Sequence, residues 1–86
     1  MTLEEIRCFC QEKGATVRVE SPAGTITYSS KDIQIGTAIF AWQGDPPPPS
    51  TFLQGVLEKA DKFIIQPKFG DNKELSRERF EQLLRM

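Results

Sequence analysis

Leu3, Ile6, Phe9 and Cys10 recur at the three- and four-residue intervals of one helix face, with Glu4, Glu5, Cys8 and Glu12 opposite. Thr2-Leu3-Glu4-Glu5 is a capping-box pattern in which the Thr2 hydroxyl serves the first turn. Gly14 is a natural stop, because glycine takes positive φ without a Cβ clash. The spacing therefore predicts a first helix over Leu3–Lys13. Ala15 to Glu20 then alternates, with Val17 and Val19 to one side and Arg18 and Glu20 to the other. Ser21-Pro22-Ala23-Gly24 is turn chemistry and Thr25 to Ser29 alternates again, so an antiparallel hairpin is expected.

From Ile33 to Gln43 the alternation places Ile33, Ile35, Thr37, Ile39 and Ala41 on one face and Gln34, Gly36, Ala38, Phe40 and Trp42 on the other. Its β-branched and aromatic content predicts a single strand with a bulge or bend at Gly36. The competing helix would carry Gly36-Thr37 in its middle, at a cost of about 1 kcal/mol or more relative to Ala. Pro46 to Pro49 remove four consecutive amide donors, so residues 44–50 read as a stiff polyproline II connector ending at Ser50, a good N-cap. A second helix over Thr51–Asp61 follows, with an apolar stripe of Phe52, Leu53, Val56, Leu57 and Ala60. Lys62–Gln66 reads as a short strand closed by Pro67. Gly70-Asp71-Asn72 is a turn, and Asp71 with Glu74 repeats the capping logic, predicting a last helix over Asn72–Arg85. Its stripe would hold Leu75, Phe80, Leu83 and Leu84, with Arg79 inside it between Leu75 and Leu83.

The pattern implies a small α+β domain spanning residues 1–86, in the order α-β-β-β-α-β-α. Its sheet is expected to be mostly antiparallel, of three or four strands, with helices mainly on one face. A chain of 86 residues buries about 64 % of its open-chain surface, enough for one modest core without metal or disulfides.

Eleven basic residues against twelve acidic ones give a net charge of −1, so no global field draws the chain to nucleic acid or to anionic lipid. No apolar run approaches a membrane span, and the acidic N-terminus lacks a signal-peptide layout; a cytoplasmic protein, of a cell or of a virus-infected host, is the expectation.

Histidine is absent, which removes Ser-His and Cys-His nucleophile pairs and the commonest metal ligand. Cys8 and Cys10 stand about 200° apart on a helix, so they neither chelate one ion nor form a disulfide with each other. Cys10 belongs with the core, and Cys8 on an acidic side that does not activate a thiol. The glycines are scattered singly, without a phosphate cradle, and the glutamates other than Glu20 fall on solvent-facing sides of the predicted helices. No catalytic chemistry, cofactor or metal is expected.

What remains is binding. The chain reads as a non-enzymatic regulator, adaptor or inhibitor that acts through a protein surface or on a second copy of itself, and a phage- or mobile-element-encoded inhibitor fits the size. Two candidate patches stand out: the last helix around Arg79 and Leu83, and the Phe40/Trp42 strand face with its exit through Pro47 and Pro48. An arginine in an apolar stripe either lays its stem over the core or marks an interface, where arginine is enriched. The alternatives are a nucleic-acid-binding accessory protein, using Tyr28, Phe40 and Trp42 on a sheet face, and a small-ligand binder or self-associating subunit.

Overall fold

The computed structural model describes residues 2–41 and 50–85, with Ser50 described in its backbone alone. Trp42, Pro47, Pro48 and the other prolines of the expected connector lie outside the described residues, as does the Ser50 side chain.

The first helix, α1 (Leu3–Lys13), begins as its sequence dictates: the Glu5 N–H donates to the Thr2 hydroxyl, and Gly14 closes the helix at φ 62°. Ile6, Phe9 and Cys10 are its buried residues. β1 (Thr16–Ser21) and β2 (Gly24–Tyr28) form the expected hairpin, with Val17 opposite Tyr28 and Val19 opposite Ile26. Within the turn the Ser21 hydroxyl accepts from the Ala23 N–H and donates to the Gly24 carbonyl.

The single strand expected over Ile33–Gln43 is instead a second hairpin, β3 (Asp32–Ile35) and β4 (Ala38–Ala41). Gly36 does not bend a strand; at φ 60° it turns the chain back. The preceding corner is tied by Ser29, whose hydroxyl accepts from the Lys31 and Asp32 N–H groups and lies 2.9 Å from the Asp32 carboxylate. The two-residue turn reverses the expected faces. Phe40 now pairs with Ile33 and Ala38 with Ile35 on the core side, whereas Ile39 pairs with Gln34 on the other.

After α2 (Ser50–Lys59), β5 (Lys62–Gln66) has the expected bounds. The helix expected from Asn72 is much shorter. Lys73–Ser76 is a strand, β6, and α3 runs only over Arg77–Leu84. Leu75 therefore faces Phe63 across the sheet instead of continuing a helical stripe. The cap is Ser76, whose hydroxyl accepts from the Arg79 N–H, and not Asp71.

Among the described residues, three helices and six strands make a small α+β structure with an antiparallel sheet of order β4-β3-β2-β1-β5-β6. The expected succession of elements fits, but the sheet has six strands, not three or four. The third predicted strand is two, and β6 is added at the far edge. The register aligns Ile33, Tyr28, Val17 and Ile65 in one row and Ile26, Val19 and Phe63 in the next, all on one face. These residues, with Leu53, Val56, Leu57, Ala60 and Phe80, form the core, and all three helices pack on that face. In α2, Phe52 departs from its stripe and is 42 % exposed. Among the described residues no helix is long and apolar enough to cross a membrane.

Two side-chain arrangements lock the helices in place. Phe80 is fully buried, stacked on Phe63 at 4.7 Å between ring centres and meeting Phe9 edge-on at 5.8 Å. It thereby pins α3 to β5 and to α1 at once. Arg77, at the start of α3, sends its guanidinium to the end of α2, where it donates to the Glu58 carbonyl and, at 3.2 Å, to the Ala60 carbonyl. A helix C-terminus leaves its last carbonyls without partners and carries partial negative charge, so a guanidinium there meets both needs. Glu81 holds the same guanidinium from one turn on, at 3.4 Å.

Candidate protein-binding surface

The outer face of the sheet is the less promising one. Its central row reads Ile39, Gln34, Thr27, Arg18, Ile64 and Glu74 across the six strands. A chain of ion pairs crosses this face, from Arg18 to Glu20 at 3.6 Å, from Glu20 to Lys62 at 3.9 Å and from Lys62 to Glu74 at 3.7 Å. Two bases and two acids cancel, so the face presents no basic field. Its described strand residues include no aromatic ring: Tyr28 is fully buried on the core side, and Phe40 is half-buried there. Single-stranded nucleic acid is held by rings and basic charge together, and the described residues of this face do not combine the two.

Arg79 does not sit in an apolar stripe. Leu75 belongs to β6, and Arg79 stands exposed in the first turn of α3. Leu83, by contrast, is half-buried against the core and borders two open clefts between α1 and α3. Of the two expected patches, Leu83 lies at the α1–α3 seam with Arg79 outside either cleft lining, and Phe40 lies on the core side of β4.

The first cleft, of about 410 Å³, is bordered by Phe9 and Lys13 of α1, Ile65 of β5, Leu83, and the loop that joins β5 to β6. Pro67 ends β5, and Gly70, at φ 107°, turns the loop in a conformation that other residues rarely adopt. Between them Phe69 stands 85 % exposed, with the Lys68 ammonium 5.8 Å from its ring centre. Phe69 escapes the sequence reading because it belongs to no periodic segment. An aromatic enclosed by Pro67 and Gly70 in a polar turn was the available signal.

The second cleft, of about 710 Å³, runs along α1 beside Glu4, Glu5, Cys8 and Glu12, with Leu83 and Leu84 as its far wall. Both clefts share Phe9, Lys13 and Leu83, and so form one continuous seam. Beneath it, the Phe9–Phe80–Phe63 ring stack makes a stiff floor.

The cysteines part as their helical spacing requires. Cys8 is exposed at the seam, its thiol 3.9 Å from the Glu4 carboxylate. Cys10 is fully buried, with its thiol toward the Tyr28 carbonyl at 3.6 Å. Burial pushes the Cys10 thiol up to about 11, against a smaller opposing effect from the Val17 backbone, and burial raises the Tyr28 phenol as well. Among the described residues no cluster of three or more Cys, Asp or Glu is placed to hold a metal ion, and no charged or amide side chain is buried.

Comparison with protein-family models, with curated proteins and with solved structures finds no match to this chain.

Proposed function

We propose that the chain is a small non-enzymatic protein-binding regulator, adaptor or inhibitor of the cytoplasm, and that it acts through the α1–α3 seam and the Phe69 loop. The observation that carries this reading is Phe69, 85 % exposed at the lip of an apolar cleft. Aromatic anchors beside a pocket dominate protein interfaces, whereas a small-ligand site fixes its occupant with convergent polar groups. The wall of this cleft is largely apolar, through Phe9, Ile65 and Leu83, with Lys13, Asp71 and Lys73 as the charged residues among its lining.

Burying a phenylalanine ring is worth about 2 kcal/mol, or about thirtyfold in affinity. Immobilised wild-type chain is expected to retain one stoichiometric protein from extracts of its native host, and Phe69→Ala to retain far less of it. Equal recovery by the two chains refutes the assignment of this surface.

A further inference from the structure

The seam has two halves of opposite sign. On the α1 side of Leu83 the cleft is rimmed by Glu5 and Glu12, and by Glu4, which Arg7 holds at 3.7 Å, against Lys13, which borders both clefts. On the loop side Lys13 and Lys73 border the cleft against Asp71, with Lys68 alongside the Phe69 ring. The same surface also has a projection and a hollow: the exposed Phe69 ring on the basic side and the larger cleft on the acidic side. Leu83 borders both.

A surface with these features is complementary to itself under a two-fold rotation, which lays each half against the opposite half of a copy. We propose that the partner taken by this surface is a second copy of the chain, docked about a two-fold axis near Leu83 so that Phe69 of each copy enters the acidic cleft of the other. The inference rests on reading the seam as a protein-binding surface. Phe69 carries Lys68 with it, and the ammonium arrives among Glu5 and Glu12 of the copy. Because projection and hollow flank the same leucine, both contacts close within one interface, and a head-to-tail chain of copies is not needed. A net charge of −1 leaves little overall repulsion between two copies.

Sedimentation of the purified chain at low salt, from micromolar to millimolar concentration, tests the proposal. A monomer–dimer equilibrium that weakens with salt is expected. Phe69→Ala, at a ring too exposed to support the fold, is expected to weaken the dimer by about a thousandfold, since each copy loses one buried ring and each ring is worth about thirtyfold. Leu83→Glu should abolish it, with circular dichroism to verify folding. Lys68→Glu should weaken it, and adding Glu5→Lys and Glu12→Lys to the same chain should restore it. A chain that stays monomeric throughout, or a dimer indifferent to Phe69→Ala, overturns the proposal. If such a monomer still binds a host protein through Phe69, the protein-binding reading stands without the two-fold. If Phe69→Ala alters neither association, both fall.

Discussion

Arg77 joins the two C-terminal helices, and removing its guanidinium measures what that junction is worth. In Arg77→Ala the Glu58 and Ala60 carbonyls lose their charged donor and Glu81 loses its partner. A hydrogen bond from a charged group contributes about 1.5–3 kcal/mol when buried, and a cation at a helix C-terminus about 0.3–1 kcal/mol. The Arg77 side chain is 36 % exposed, so water can replace part of what is lost, and the half-buried Glu81 pair adds only a few tenths of a kcal/mol. The expected cost is about 1.5 kcal/mol. With a urea slope of about 1 kcal/mol per molar for a chain this small, the midpoint should fall by about 1.5 M. Arg77→Lys keeps the charge but not the fork that reaches two carbonyls, so it should recover only part of the loss. Glu81→Ala should cost much less than Arg77→Ala. If Arg77→Ala shifts the midpoint negligibly, or if Glu81→Ala costs as much, the cap is not what holds α2 to α3 and the reasoning is wrong.

Phe80→Ala removes the ring held between Phe63 and Phe9 and is expected to cost about 3–5 kcal/mol, enough to unfold much of the population, as read by urea denaturation; a cost below that of Arg77→Ala would mean that the ring stack does not organise the seam. Native chain should react with a thiol reagent at Cys8 alone, Cys10 becoming accessible only on unfolding, and mass-spectrometric detection of rapid labelling at Cys10 would refute its burial. The Cys10 thiol is raised from 9.0 to about 11, so the folded state holds its proton more tightly than the unfolded one. The associated stability is complete below pH 9.0 and is lost as pH rises through the folded value, a decline of about 3 kcal/mol at most. Cys10→Ala should flatten that part of the pH–stability curve, and an unchanged slope would count against the assignment.

Some elements were legible in the sequence because their determinants are local. The Thr2 cap, the 3.6-residue spacing and Gly14 lie within one helix length, and α1 has the predicted bounds. The Pro22-Ala23 turn sits between two alternating runs, and the hairpin forms as read. For Cys8 and Cys10, helical geometry alone separated an exposed thiol from a buried one. For Arg77 only the i,i+4 spacing to Glu81 is local; its other partners lie 17 and 19 residues away in sequence.

The sequence by itself thus determined the α+β class, the first helix and hairpin, β5, and most of the separation of core from surface in the periodic segments, Phe52 of α2 excepted. Tertiary structure decided the rest. Alternation in Ile33–Gln43 does not reveal whether a strand continues or folds back, and a two-residue turn at Gly36 exchanges the faces beyond it, sending Ile39 outward and Phe40 toward the core. Lys73–Ser76 is short enough to serve either a helix or a strand, and pairing of Leu75 with Phe63 settled it as β6. That choice shortens α3, takes Arg79 out of the apolar stripe, and leaves Pro67–Asn72 as a loop presenting Phe69 beside Leu83. The proposed surface is therefore shaped by strand pairing between distant segments, an interaction that local spacing does not encode.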